Sequence, residues 1–376
     1  MRLLIDGDVF RWQRAGGISR VYAEVIPRMA ALDPKLDLRV VLRGGPVSGR
    51  LGSIGASTVR IPQLPPGLKP WRLWRHVTPG LNARLAGAFW RRQKGDVFHS
   101  TYYTLPPVSC PSVCLVLDMI PELFPGLFGR EFLDEMLERK RMAAQKAKLV
   151  ICISLNTQRD LVRILGVPET KCRVVPLAGV SATPVEAAAE PRAKRPFLLY
   201  VGDYLSPYKN FLFLLRCLQS DRGDFADLPL DVVSRRRPTA GELETYRELL
   251  PAGRLRFDEE CDDAALAGLY GSCSAFVYPS LYEGFGLPVL EALACGAPVV
   301  CADTPALRET GGDVVYFFDP ESPSDFLRAL GSALRDGRAD EKVRERKAHA
   351  RVFSWDKTAE GFLNTFREAS GAGESV

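Results

Sequence analysis

Tyr278 to Pro298 reads YPSLYEGFGLPVLEALACGAP. The apolar stretch AFVYPS ends in an acidic, glycine-rich turn. A helical pattern with Pro288 in its first turn follows, and a Cys-Gly-Ala-Pro turn then leads into the apolar VVCA. Strand, turn, helix, turn and strand in that order make a parallel βαβ unit. Pro288 suits a helix start, where its missing N–H is an orphan in any case. Gly284 and Gly286 allow unusual backbone angles and let another molecule approach the main chain. The helix start presents N–H groups and a positive dipole end, which suits phosphate. Glu283 stands on the turn, and Glu291 follows one turn inside the helix, placed to accept from hydroxyls such as those of a ribose. Two glutamates alone would read as solvated surface charges; their surroundings argue for a nucleotide joined to a hydroxyl-rich group.

The chain on either side repeats the pattern. RLLID, LDLRVVL, DVFHS, SVCLVLD and KLVICIS read as short buried strands, with GGISRVYAEVIPRMAAL as a helix after the first. Around VSATPVEAAAEPRAKRP the pattern dissolves into Ala, Pro and charges, the composition of a linker. A second series follows: PFLLYVGD, a helix from Asn210 to Gln219, LPLDVVS, RLRF, SAFVYPS, PVVCA and VVYFF. The expected organisation is a first Rossmann-like domain over 1–182, a linker over 183–195 and a second such domain over 196–352. The tail, 353–376, has helical spacing and is expected to return to the first domain. In such α/β folds ligands bind outside the carboxyl ends of the strands, so the two domains would face a central cleft.

Composition narrows the class. With 46% hydrophobic and 25% charged residues in 376, the chain is globular and long enough for two domains. No apolar stretch approaches the roughly 20 residues that cross a bilayer, and MRLLIDGDVF does not read as a secretory signal. The nine cysteines are scattered without a CxxC pair, as in a reducing cytoplasm, and three histidines make a His-based metal site improbable. Net charge is +5, but Leu38 to Gly95 holds eleven Lys/Arg and no acid. Within it, Trp71, Trp74, Phe89 and Trp90 alternate with Arg72, Arg75, Arg84, Arg91 and Arg92. That mixture suits an anionic membrane surface; the duller alternatives are core tryptophans and charges paired elsewhere. No nucleic-acid motif accompanies the charge.

YEGFGLPVLEALACGAPVV is similar to the E-x7-E signature of the family 4 glycosyltransferases, retaining enzymes of the GT-B fold, and the resemblance spans nearly the whole chain. It implies a donor site at Glu283, Gly284, Phe285, Gly286, Leu287 and Glu291. LLYVGDYLSPYKNFLFLL resembles the family's strand–Gly–Lys–Asn element, which places Lys209 on the donor diphosphate with Asn210 beside it. Asp203 and Tyr208 stand where relatives carry a second cation. Arg235, in LPLDVVSRRRP, is a candidate substitute or else part of a solvated loop. Gly16 and Gly17, ahead of Ile18-Ser19-Arg20, resemble the glycine-rich loop that reaches the donor phosphate. Phe257, in RLRFDEECDDAALAGLYGSC, resembles the residue whose backbone lies beside the base.

SVCLVLDMIPELFP resembles the family's His-Asp-Leu-Ile-Pro segment. Leu117 replaces the histidine that faces the donor sugar, and Asp118 is kept as a catalytic candidate with Glu283 and Lys209. His99, in DVFHSTYYTLP, is a substitute from the acceptor side together with Tyr102 and Tyr103, or a strand-end histidine bonded to structure. Asp6-Gly7-Asp8 lies on a first Rossmann-like strand and is not read as a metal site; no metal or cofactor is expected.

The resemblance implies retaining transfer of a sugar from a nucleotide donor, GDP-mannose or a relative of it, to a hydroxyl on a glycan or lipid-linked acceptor. The expected place is the cytoplasm, peripheral on the inner face of the membrane. Alternatives are a GT-B sugar-nucleotide epimerase and a non-catalytic glycan- or nucleotide-binding relative. A nicotinamide dehydrogenase is disfavoured because no Gly-x-Gly-x-x-Gly follows either domain's first strand.

Overall fold

The computed structural model describes residues 1–12, 17–43, 56–64, 71–179, 195–221, 223, 225, 227–251, 253–258 and 261–371, with 11, 12 and 71–77 as backbone. Among the described residues, seven strands form the first sheet: β1 (Arg2–Asp6), β2 (Asp37–Arg43), β3 (Ser57–Ile61), β4 (Val97–Ser100), β5 (Ser112–Val116), β6 (Leu149–Cys152) and β7 (Cys172–Val174). Six form the second: β8 (Leu198–Val201), β9 (Leu230–Val233), β10 (Leu255–Asp258), β11 (Ala275–Tyr278), β12 (Val299–Ala302) and β13 (Tyr316–Phe318). The orders are β3-β2-β1-β4-β5-β6-β7 and β10-β9-β8-β11-β12-β13, and every pairing is parallel.

Helices flank both sheets, so central strands are buried on both faces and read as unbroken apolar runs. All four residues of β4, β6, β11 and β12 are buried. Strands β3 and β7 carry no such run. The first is an edge strand with three exposed residues and one half-buried residue before Ile61, and the second has three residues. Strand order reverses between β1 and β4 and again between β8 and β11, and crevices open at such points.

The helix Trp355–Ser370 lies on the helix Gly17–Leu32 of the first domain. Arg28 pairs with Asp356 at 3.1 Å, Arg367 with Asp33 at 3.0 Å, and the Thr358 hydroxyl donates to the Pro176 carbonyl at 2.8 Å. A second link joins the domains at the helix Leu155–Leu165. The Glu309 carboxylate accepts from the backbone N–H groups of Leu155 (2.8 Å) and Asn156 (2.7 Å), a favourable place for an anion.

The linker expected over 183–195 falls outside the described residues except for Arg195, which pairs with Asp231 at 3.2 Å. In the acid-free stretch, Trp90 is buried against Phe98 with ring centroids 5.3 Å apart, so this tryptophan belongs to the core and not to a membrane-facing surface. Arg84, Arg91 and Arg92 are exposed. Among the described residues no helix is long and apolar enough to cross a membrane.

Candidate functional site

After β8 the chain turns at Gly202, whose φ of 151° favours glycine, and Asp203 ties the next turn together. The Asp203 carboxylate accepts from the Leu205 N–H (3.1 Å) and the Ser206 hydroxyl (2.6 Å). Asp203 is thus a turn-forming acid. A short helical turn, Pro207–Lys209, ends at Asn210 in the left-handed region, and the helix Phe211–Ser220 begins there. The Asn210 side chain donates to the Pro320 carbonyl at 3.3 Å.

The neighbouring strand β11 delivers Glu283 to the same place, held by a bond from the Leu281 N–H to the Tyr208 carbonyl at 2.7 Å. Lys209 Nζ donates to Glu283 Oε1 at 2.6 Å and to the Tyr278 hydroxyl at 2.9 Å. Its ammonium also lies over the rings of Tyr208 (5.4 Å) and Tyr278 (5.0 Å). Burial works to lower the Lys209 pKa, but the Glu283 charge and hydrogen bond outweigh it and raise it, so the ammonium persists. A largely buried cation and a buried anion therefore meet at the crevice between β8 and β11.

The turn after Glu283 is pressed against the first domain. A Cβ on Gly284 would lie 1.9 Å from the Leu117 carbonyl oxygen and 3.0 Å from Asp118 Cβ. The Gly284 carbonyl accepts from the hydroxyls of Ser154 (2.6 Å) and Thr157 (3.2 Å). Phe285 is buried against Phe353, and its carbonyl accepts from the Thr310 hydroxyl. Gly286, at φ 102°, opens the helix Leu287–Ala294. Asp118 is thereby brought next to the Glu283–Gly284 turn. Its own loop is braced from below: Lys140 donates to the Asp118 carbonyl (2.6 Å) and to Glu122 (2.9 Å).

Glu291 has a partner that the sequence did not disclose. Arg20 Nη1 lies 2.5 Å from Glu291 Oε1, and Nη2 donates to the Gly179 carbonyl at 2.8 Å. The only sequence hint was the place of Arg20, one turn into the helix that the glycine-rich loop begins.

His99 is corrected: it is fully buried, bonded to the Tyr22 hydroxyl (3.0 Å) and the Val113 carbonyl (3.0 Å), and packed against Phe362 and Phe366. Burial holds its pKa down to about 4, so it is a neutral core residue that reaches no acceptor. Tyr102 and Tyr103 pack toward the helix Arg130–Lys146 through Met136 and Lys140. The Phe257 ring belongs to an aromatic cluster with Tyr204, Phe211 and Tyr246. Arg235 is exposed just beyond the end of β9. Gly16 lies outside the described residues, and Gly17 is the first residue of its helix. Asp6 spends its carboxylate on the Thr101 N–H (3.1 Å), the Asp8 N–H (3.2 Å) and the hydroxyls of Thr101 and Thr104, tying β1 to the loop after β4.

Two family profiles divide the sequence between them: Glycosyltransferase Family 4 matches residues 15–178, and Glycosyl transferases group 1 matches residues 185–350. The O-antigen chain mannosyltransferase B of Escherichia coli is 27% identical over 298 residues, 74% of this chain and 75% of that protein. Serotype-specific mannosyltransferases of the same organism also match at 27%, and there the chain spans only 35–37% of the relative's length. Sucrose-phosphate synthase from Thermosynechococcus elongatus has the same fold, with a TM-score of 0.72 at 18% identity, over 99% of this chain and 100% of that one. Anabaena HepE, solved in complex with UDP and glucose, gives a TM-score of 0.67 at 17% identity, over 98% and 100%. At those identities the structural likeness speaks for the fold alone.

Proposed function

The chain belongs to the GT-B glycosyltransferases of the family 4 type, and we propose that it transfers a sugar, with retention, from a nucleotide donor to a glycan hydroxyl at the Lys209–Glu283 crevice. The observation that carries this reading is the buried pair itself, set where the β8 and β11 loops diverge. A donor diphosphate entering there meets the Lys209 ammonium and the N-terminal dipole of the helix Leu287–Ala294. Glu283 is then released to orient the hydroxyls of the donor sugar, and Glu291 holds the ribose.

The acceptor oxygen bonds to the anomeric carbon as the bond to the diphosphate breaks, on the same face of the sugar. The departing diphosphate oxygen takes the acceptor's proton, and Lys209 offsets the charge left on it. Asp118, beside Gly284, flanks the reacting sugar, with Tyr102 and Tyr103 on the acceptor side. The cation and the helix end do the work a divalent ion would do, so activity is expected to survive excess EDTA.

The mannosyltransferases among the relatives support a mannose donor, and the O-antigen chain in the name of one of them supports a glycan acceptor; GDP-mannose as that donor and a lipid-linked form of the acceptor are part of the proposal. Both matched profiles are transferase families, which does not favour the epimerase alternative. A thermal-shift screen of GDP-, UDP- and dTDP-sugars tests the reading, because a ligand that binds the folded state raises its melting temperature. GDP-mannose is expected to give the largest rise. No rise with any nucleotide sugar would contradict a donor site here.

A further inference from the structure

Arg20 joins three parts of the molecule. It stands on the helix Gly17–Leu32 of the first domain and holds the carbonyl of Gly179, at the end of that domain's described chain. Its other nitrogen holds Glu291, in the second domain. Glu291 is largely buried, with its side chain 16% exposed, and the Arg20 side chain is 23% exposed.

We propose that Arg20 is a positioning residue for the donor: it fixes the carboxylate that receives the ribose, and so makes donor binding depend on the docking of the two domains. The inference rests on the donor site proposed above. A carboxylate accepts at both oxygens, so with Arg20 on Oε1 the other can serve ribose hydroxyls. A protonated Glu291 would offer a donor where the ribose needs an acceptor.

The surroundings press toward that protonated form. Burial is the largest influence raising the Glu291 pKa, and Asp263 acts in the same direction, while Arg20 is the largest opposing one. The Tyr270 hydroxyl also faces Glu291 and acts with Arg20 to lower its pKa, and the Cys295 thiol lies near it as well. Glu24 and Asp263 reinforce the positive charge of Arg20 together with Glu291, against the cost of its burial. Without Arg20, Glu291 takes up its proton at a higher pH, and donor affinity falls as pH drops through that point.

Titrations of GDP and of UDP between about pH 5 and 9 test this, since an ordinary carboxyl stays ionised across that range and only one whose pKa is raised changes charge within it. Two substitutions remove the charge: Arg20→Met, and Arg20→Gln, which keeps a donor toward Gly179. Each is expected to weaken nucleotide binding about tenfold at neutral pH, the scale of one charge-assisted hydrogen bond, and to regain affinity as pH rises. Arg20→Lys should return the acid limb toward its wild-type position. In Glu291→Gln the limb should vanish, and adding Arg20→Met to it should cost little. An acid limb in Arg20→Gln that coincides with wild type would overturn the role of Arg20 alone. Failure of both nucleotides to bind wild type would overturn the donor site and this inference with it.

Discussion

Lys209 Nζ lies 2.6 Å from Glu283 Oε1 although 74 residues separate them in the chain. The parallel sheet order explains the meeting: β8 and β11 are neighbours, and each hands its following loop to the same crevice. Two charged groups with side chains only 13% and 11% exposed are costly to hold unless paired.

Removing one partner should therefore cost more than removing both. Lys209→Met is expected to lower stability by about 3 kcal/mol in urea unfolding, because it strands a buried carboxylate. Lys209→Met combined with Glu283→Gln should recover most of that loss yet remain inactive. Equal destabilisation by the single and the double change would mean that the pair does not govern local stability.

Gly284→Ala should separate the domains. The new methyl would meet the Leu117 backbone oxygen at 1.9 Å, and a backbone atom cannot swing aside. A displacement of about 1 Å at the cleft can cost ~10²-fold in rate, so kcat/KM should fall by roughly that factor. Gly241→Ala, where nothing lies within 4 Å, is the control and should leave activity unchanged.

His99 sets part of the acid sensitivity. Its folded pKa of about 4 lies below the ordinary 6.5, so the unfolded chain binds the extra proton between these values. The resulting stability is complete above pH 6.5 and is lost as pH falls toward 4, by up to roughly 3 kcal/mol. His99→Gln should flatten that part of the stability profile while leaving the pH dependence of kcat in place. A changed kcat profile would return His99 to the cleft.

The basic stretch should bring the protein to anionic membranes. Co-sedimentation with vesicles containing phosphatidylserine is expected, weakened by salt and by replacing Arg72, Arg75, Arg91 and Arg92 with Ser, each worth up to ~1 kcal/mol. Equal recovery in the supernatant with and without the anionic lipid would refute it.

The fold was legible because strands such as β11 and β12, buried on both faces, leave unbroken apolar runs. Strands β3 and β7 were not, being an exposed edge and a three-residue segment. The run around Glu283 and the element around Lys209 are local patterns that a sequence displays. The Arg20–Glu291 pair is not, since its members are 271 residues apart and meet only when the domains dock. His99 was open to misreading because the end of a strand leaves the direction of its side chain undecided between cleft and core. Here all of β4 is buried, beneath the returning C-terminal helix.

Transfer with retention leaves its mark in the anomeric configuration of the product. With the nucleotide sugar selected by thermal shift, the one-bond carbon–hydrogen coupling at the new glycosidic carbon reports that configuration. The expected product has the same configuration as the donor's anomeric carbon, and its formation slows about 10²-fold or more in Lys209→Ala. An inverted linkage, or full activity without Lys209, would contradict same-face transfer at this site.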